Sequence, residues 1–259
     1  MKLCFSTLGC PDWDINQVAA KAAEYGFDGV ELRIHGDRHV DPALSQEERK
    51  RIKEMFAEKG VAIPILSGYT HFARDDLAYL KANEDTLVQN AQLAADLGAK
   101  YLRTFLGMEA FTTQGAEFMR SACNKAADLG VTVLIEIHGA PKNGADAMQL
   151  LHQVKSPGLA ILWDVHHSIA GGETLAETWQ NAGKYVRHIH LKDADAAGKP
   201  CLTGQGVFPV ADAVRLLACN GFDGFVSFEW EKTWIPDIEE PEVALPDFVG
   251  YVRGIDIEN

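Results

Sequence analysis

Four short apolar runs in this sequence each end on a residue that could bind a metal ion. They are LIEIHG with Glu136, ILWDVHH with Asp164, HIHLKD with His190 and VSFEWE with Glu229. Each run has the composition of a strand buried on both faces, so the four side chains fall at four successive strand ends. Two Glu, one Asp and one His offer oxygen and nitrogen ligands without a thiolate, which suits a hard or borderline divalent cation. The pattern predicts a metal-dependent enzyme on a parallel β/α scaffold.

The rest of the chain alternates strands with helices in an order that can hold these four ends together. Apolar runs predict strands at 3–7, 29–34, 61–66, 101–106, 131–137, 159–165, 186–191 and 224–229. Helical spacing and cap residues predict helices at 14–25, 45–60, 75–97, 115–129, 144–154, 173–182, 210–218 and 243–254. Eight β/α repeats in this order indicate the α/β class and one (β/α)8 TIM barrel, a single domain over residues 1–259.

The predicted barrel brings the four strand ends to one place. In such barrels the chemistry lies at the carboxyl ends of the strands, and adjacent strands are about 4.8 Å apart. Any one of the four residues alone would be explained as a buried polar group in a local hydrogen bond. Three carboxylates crowded into a barrel mouth repel each other unless a cation compensates them. The set as a whole therefore favours a metal site.

Composition restricts the partners and the compartment. The 259 residues are 47% apolar and carry a formal net charge of -13, which disfavours nucleic acid as a partner. Five scattered cysteines without a C-x-x-C pair suit reduced thiols, and the first residues do not look like a signal peptide. Because no apolar run approaches the roughly 18 residues of a membrane span, we predict a cytoplasmic protein that does not bind a membrane. A homo-oligomer remains an open alternative.

Several further polar residues lie near the predicted strand ends. His188 is two residues deeper than His190 and is expected to be an interior, hydrogen-bonded histidine. His138 is expected behind the ligands or against substrate, and one of His166 and His167 should face the cavity. The other cavity residues could contact substrate or form salt bridges at the barrel mouth: Glu31, Arg33, His71, Arg103 and Lys192. Loop aromatics could cover a sugar face or pack loop to loop: Trp13, Phe72 and Trp234.

The motifs around these residues resemble a known family. Glu136 in LIEIHG, Asp164 with His167 in WDVHH, His190 in HIHLKD, the GQG loop and Glu229 in FEW are similar to the xylose isomerase-like barrels, specifically the sugar phosphate isomerase/epimerase group. The resemblance covers essentially the whole chain. It implies that the four ligands bind one divalent ion, commonly Mn, Mg, Co or Zn. It also implies that Glu136 and Glu229 transfer protons and that His167 contacts a substrate hydroxyl.

The sequence departs from one branch of that family. Ketose 3-epimerases carry a substrate-binding glutamate six residues after the first metal glutamate and an arginine six residues after the metal histidine. The corresponding residues here are Lys142 and Ala196. Because the same barrel also hosts inosose isomerases and dehydratases, hydroxypyruvate isomerases and lyases, the departure argues against a free-ketose 3-epimerase.

These observations predict an isomerase or epimerase of a small keto-sugar or polyol, phosphorylated or not. A divalent ion would stabilise the enediolate that forms when a carboxylate removes the proton beside a carbonyl. The alternative is a dehydratase or lyase acting on a keto-sugar, keto-inositol or 3-keto-glycoside, with Lys192, His138 or His167 as the acid. An apurinic endonuclease is a remote alternative, because its trinuclear zinc site is richer in histidine and its surface must accept DNA. A non-catalytic sugar-binding barrel should lack at least one of the four ligands.

Overall fold

Eight parallel strands form the centre of the molecule. The structure is a computed structural model that describes residues 1–35, 38–106 and 112–257, except for the side chains at 35 and 38. In chain order the strands are β1 (Lys2–Ser6), β2 (Gly29–His35), β3 (Ile65–Ser67), β4 (Tyr101–Thr104), β5 (Thr132–Glu136), β6 (Leu159–Asp164), β7 (Val186–Leu191) and β8 (Phe225–Phe228).

The strands close on themselves in sequence order. Each pairs in parallel with the next, and β1 pairs with both β2 and β8. Closure leaves no open sheet edge and directs the carboxyl ends of all eight strands toward one mouth. The predicted α/β class and single (β/α)8 barrel are confirmed.

Helices surround the strands. They are α1 (Ile15–Tyr25), α2 (Gln46–Glu58), α3 (Leu77–Leu97), α4 (Thr113–Asp128), α5 (Gly144–Val154), α6 (Val165–Ala170), α7 (Leu175–Ala182), α8 (Val210–Cys219) and α9 (Pro241–Arg253). The predicted cap of α2 is present, because Ser45 and Glu48 exchange the two hydrogen bonds of a capping box. Throughout the described ranges, no helix is both long and apolar enough to cross a membrane.

Some element bounds differ from the predictions for identifiable reasons. Strand β3 begins at Ile65 rather than at residue 61, since Pro64 has no N–H to donate and only Ala62 bridges back to Gly29. Helix α6 follows β6 at once and was missed. Its N-cap is Asp164, whose Oδ1 accepts from the His167 amide at 3.1 Å. Two short antiparallel pairs were also missed: Arg38–His39 with the end of β2, and Asp193–Ala194 with Pro200–Cys201.

The interior of the barrel changes from apolar to polar along the strands. A small cluster of buried side chains fills the amino-terminal part of the interior: Ile65, Leu134, Ala160 and Leu162, packed against Tyr101. Two residues further along the same strands, the same alternation presents Ser67, Arg103, Glu136 and Asp164. The larger hydrophobic cluster fills the layer between strands and helices. The polar residues at the carboxyl ends of the strands therefore lie on a packed apolar layer.

Candidate metal centre and active site

The four predicted ligand residues lie together at the barrel mouth. Glu136, Asp164, His190 and Glu229 each offer one ligand atom, and these atoms all lie within 4.8 Å of one another. All four side chains are buried. Three of the atoms, Glu136 Oε1, Asp164 Oδ2 and His190 Nδ1, make no hydrogen bond despite being buried. Buried polar atoms are rarely left without a partner, so this donor set could hold a divalent metal ion.

Strand register produces this convergence. Asp164 and His190 are direct partners on β6 and β7. Glu136 is the last residue of β5. Glu229 follows β8, and its amide still donates to the Leu191 carbonyl at 3.0 Å, so the strand geometry continues through it. Four consecutive strand ends therefore supply one ligand each.

His190 directs its Nδ1 toward the carboxylates of Glu136 and Glu229. His190 Nδ1 lies 3.3 Å from Glu136 Oε1 and 3.2 Å from Glu229 Oε1. Burial lowers the pKa of His190, but the carboxylates of Glu31, Glu229 and Glu136 outweigh it and hold this pKa well above its usual value. The raised pKa of His190 favours the protonated imidazole beside these carboxylates. A divalent ion in the same place would compensate the carboxylates instead and displace the proton.

Two cations contact the outer oxygens of the glutamates. Arg103 Nη1 donates to Glu136 Oε2 at 3.0 Å. Lys192 Nζ donates to Glu229 Oε2 at 2.6 Å and to Glu231 Oε1 at 2.7 Å, and lies 3.3 Å from Asp164 Oδ2. Burial raises the pKa of Glu229, but Lys192 and His190 overcome it and hold this pKa well below its usual value. Arg103 and Lys192 therefore contact the ligand residues directly.

Glu31 lies beneath the cluster, with His188 and Ser67. Its Oε2 accepts from His188 Nε2 at 3.0 Å and from His190 Nε2 at 2.9 Å, while Oε1 accepts from the Ser67 hydroxyl. The sequence left Glu31 as a substrate contact or a salt-bridge partner. The structure buries it fully and engages both oxygens, and its contact with His190 fixes that ring. His188 is an interior, hydrogen-bonded histidine, in agreement with its expected position.

His138, from the loop after β5, and His167, from α6, meet at the rim of the cluster. The ring centroids of His138 and His167 are 4.0 Å apart, and His167 Nε2 lies 3.8 Å from Asp164 Oδ2. Burial lowers the pKa of His167, with Asp164 opposing the change. His166 stacks on Phe208 at 4.1 Å instead. Of the histidine pair, His167 is therefore the one next to the ligands.

His71 contacts the ligand cluster's neighbours through Phe105. Its ring stacks on Phe105 at 5.8 Å, and Phe105 in turn contacts the His138 ring at 5.4 Å, the Tyr69 ring at 5.9 Å and the Arg103 guanidinium at 4.1 Å. Phe105 was not singled out from the sequence. It lies two residues after Arg103, so alternation along the chain was the signal that could have identified it.

The GQG loop has a structural role around Asp193. The Asp193 carboxylate accepts from the amides of Gly204, Gly206 and Phe208 at 2.8, 3.0 and 3.2 Å. Gly204 has a φ of 83°, and a Cβ on Gly206 would lie 2.1 Å from Asp193 Oδ1. These contacts make the GQG loop a tight turn around the Asp193 carboxylate. Because Asp193 follows Lys192 directly, the hydrogen bonds from the loop to Asp193 also fix the backbone next to Lys192.

The remaining predicted positions divide between interior and surface. Phe72 is fully buried and Trp13 is nearly so, while Trp234 is 56% exposed. Lys142 and Ala196, where the sequence departs from the ketose 3-epimerase pattern, are both exposed.

Comparison with known proteins gives sugar epimerases and a dehydratase. The chain is 23% identical over 254 residues to a fructoselysine 3-epimerase of Escherichia coli O157:H7, covering 88% of this chain and 90% of that protein. A crystal structure of a probable 3-DHS dehydratase from Bacillus anthracis superposes with a TM-score of 0.80 at 18% identity, covering 99% of this chain and 100% of the other. The zinc-bound IOLI protein superposes with a TM-score of 0.80 at 18% identity, covering 99% of both chains.

The last two similarities show the fold. A sequence profile described as the xylose isomerase-like TIM barrel matches residues 19–247, which is most of the chain. The chain belongs to the xylose isomerase-like TIM barrel family.

Proposed function

We propose that this protein is a divalent-metal-dependent isomerase or epimerase of a small keto-sugar or polyol. The observation that carries the proposal is the cluster of Glu136, Asp164, His190 and Glu229, in which three buried ligand atoms make no hydrogen bond. The relatives that act on sugars support a carbohydrate substrate. Mn, Mg, Co and Zn all accept such a mixed oxygen and nitrogen set.

The ion would be held by those four side chains. When bound, it would polarise a substrate carbonyl and offset the negative charge that develops as the neighbouring proton leaves. Arg103 and Lys192 hold the outer oxygens of the two glutamates and so fix the direction of their inner oxygens. Preorganised carboxylates of this kind lose little energy to rearrangement during reaction.

Glu136 and Glu229 are the proposed proton-transferring pair. They extend from β5 and from the end of β8, on either side of His190, so that substrate over the cluster would lie between them. One carboxylate removes the proton next to the carbonyl. Return of a proton to the former carbonyl carbon gives isomerisation. Return to the carbon that lost it, but from the opposite face, gives epimerisation. His167, His138 and Lys192 are proposed to contact substrate hydroxyls at the rim.

A dehydratase is the second candidate function. It is favoured by the similarity to a 3-dehydroshikimate dehydratase of Bacillus anthracis and by the proton donors around the cluster. Lys192 contacts Glu229 directly, and His138 and His167 are paired beside Asp164. If a β-hydroxyl leaves after proton removal, one of these groups would protonate it.

The deciding experiment is proton NMR in D2O with a panel of ketoses, keto-inositols and 3-keto-glycosides, each with and without a phosphate. The Mn-loaded protein should incorporate deuterium at the carbon next to the carbonyl, and chelator-treated protein should not. Glu136→Gln should lose the exchange while still folding. The product then identifies the reaction: an isomer or epimer supports the first function, and an unsaturated product supports the second.

The matched control is Glu117→Gln, which removes a carboxylate from the exposed side of α4. It should exchange deuterium at the wild-type rate. Absence of exchange with every substrate, in protein that carries a full equivalent of metal, would refute proton transfer for these substrate classes.

A further inference from the structure

Arg33 is a buried guanidinium to which the described part of the chain offers no carboxylate partner. It lies near the end of β2 and is 3% exposed. Its Nε donates to the Tyr69 hydroxyl at 2.7 Å and its Nη1 donates to Thr233 Oγ1 at 3.2 Å, both neutral groups. Its Nη2 is buried and makes no hydrogen bond. Among the described residues, no carboxylate oxygen forms an ion pair with Arg33.

The other two cations at the barrel mouth are already compensated. Arg103 is paired with Glu136, and Lys192 contacts three carboxylates. A buried charge is stable only when it is paired and hydrogen-bonded. The rings of Tyr69 and Trp234 lie 5.7 and 5.2 Å from Arg33 Cζ, and such cation–π contacts offset only part of the desolvation. Of Arg33, Arg103 and Lys192, Arg33 is therefore the one without an anion among the residues that the structure describes.

Arg33 adjoins the metal centre. It follows Glu31 by two residues on β2, so the two side chains project to the same side of the strand, with Arg33 nearer the mouth. The Tyr69 ring contacts both guanidinium groups, lying 4.8 Å from Arg103 Cζ as well as 5.7 Å from Arg33 Cζ. One aromatic side chain thus joins Arg33 to Arg103, which holds Glu136.

We propose that Arg33 binds an anionic group of the substrate, a carboxylate or a phosphate ester, at the end remote from the reacting carbons. This inference rests on the proposed function and specifies its substrate class as an acidic or phosphorylated sugar. The planar guanidinium with a free Nη2 is suited to two oxygens of one oxyanion. A net charge of -13 repels anions from the rest of the protein, so a dedicated cation would be needed.

The first test measures anion binding by calorimetry on chelator-treated protein, where no metal competes for the probe. Three probes share a carbon skeleton: glycerol 3-phosphate, glycerate and glycerol. Wild type should bind at least one of the two anions and not glycerol, and the better anion identifies the group. Arg33→Met should weaken that binding about tenfold or more, because a charge-assisted contact is lost. Arg33→Lys should retain part of it.

The matched control is Arg51→Met, which removes an exposed arginine from α2. It should bind the anion as wild type does. Equal affinity in wild type and Arg33→Met would overturn the proposal. So would the absence of binding of either anion to wild type when the anion is added up to tens of millimolar. If Arg33→Met does not fold, as judged by circular dichroism, the comparison is decided by Arg33→Lys on the same criterion.

Stability gives a second readout that separates a ligand site from a structural arginine. In buffer without anions, Arg33→Met should unfold at the wild-type temperature or above, since it removes an uncompensated buried charge. Saturating anion should raise the unfolding temperature of wild type and leave that of Arg33→Met unchanged. Loss of stability in Arg33→Met without any anion effect in wild type would assign Arg33 a structural role. Anion binding and thermal unfolding do not require turnover. Both therefore test Arg33 even if the protein shows no deuterium exchange with any substrate.

Discussion

His190 Nε2 lies 2.9 Å from Glu31 Oε2, at the end of the imidazole opposite to the nitrogen that faces the ligand cluster. The carboxylate has no exposure to solvent and also accepts from His188. A histidine whose Nε2 hydrogen bonds to a carboxylate keeps a fixed ring orientation, with Nδ1 available as a ligand. This arrangement makes Glu31 a positioning residue for the proposed metal ligand His190.

Glu31→Gln should therefore weaken divalent metal binding by about 10- to 100-fold. His188 and His190 share one oxygen of Glu31, and a neutral amide oxygen in that place accepts more weakly than a carboxylate, so the His190 ring is held less firmly. The measurement is a competition titration of Mn²⁺ and Zn²⁺ against a chelating dye. Glu117→Gln should leave the affinity unchanged, and an unchanged affinity in Glu31→Gln would show that the ring is held by packing alone.

Lys192→Met should destabilise the metal-free protein more than the metal-loaded protein. In the metal-free protein, the Lys192 ammonium contacts Asp164, Glu229 and Glu231, and its removal leaves these carboxylates uncompensated. The expected loss is about 3 to 5 kcal/mol in the free energy of unfolding. A bound divalent ion compensates the same carboxylates, so saturating Mn²⁺ should recover much of that loss.

Urea unfolding with chelator and with Mn²⁺ measures both values for wild type and variant. An equal loss under the two conditions would mean that Lys192 stabilises the fold independently of the metal centre.

Two glycines should respond in opposite directions to alanine. A Cβ on Gly206 would lie 2.1 Å from Asp193 Oδ1 and 2.3 Å from the Ala194 carbonyl, so the loop must move away from Asp193. We expect Gly206→Ala to cost about 1 to 3 kcal/mol. Gly250 lies in α9 with no heavy atom within 4 Å of the added Cβ, and Gly250→Ala should stabilise by about 0.5 to 1 kcal/mol.

Thermal unfolding of the two variants and wild type gives the comparison. If Gly206→Ala is as stable as Gly250→Ala, the loop does not depend on the contacts around Asp193.

The barrel and its four ligand positions could be predicted because they follow from local patterns. Apolar runs mark the strands, and a strand buried on both faces leaves its first polar residue at the carboxyl end, as Glu136 and Asp164 show. Strand order in a parallel barrel is sequential. Knowing the strands is therefore enough to place the ends of successive strands side by side.

The pairing of the charged residues could not be predicted, because it depends on register between distant strands. Glu31 and His190 are 159 residues apart in the sequence. A one-residue shift in either strand would separate them. Arg33, Arg103 and Lys192 looked equivalent in the sequence for the same reason, and only their neighbours distinguish the unpaired one. Helix α6 was missed because Val165 and the histidines after it read as the continuation of β6.

Glu173 is a partly buried carboxylate that joins α5 to α7, away from the candidate metal centre. Its carboxylate accepts from the amides of Gly144 and Ala145 at 2.8 and 3.0 Å, and from Thr178 Oγ1 and Asn181 Nδ2, both at 2.8 Å. Burial raises its pKa, but these hydrogen bonds outweigh burial and hold the pKa of Glu173 below its usual value of 4.5. The ionised form is thus the one that holds the two helices.

Glu173→Gln should lower the free energy of unfolding by about 1 to 3 kcal/mol at pH 7, where the charged acceptor is lost. Because the folded pKa is depressed, the contribution of Glu173 is complete above the unfolded value of 4.5 and is lost as the pH falls through the folded value. The difference between wild type and Glu173→Gln should therefore be constant from pH 7 to about pH 5 and shrink below 4.5. Urea unfolding across this range measures it, with Glu117→Gln as the exposed carboxylate control. A difference that stayed constant into acid would mean that the loss in Glu173→Gln does not depend on ionisation, and that the charge on Glu173 contributes nothing to joining the two helices.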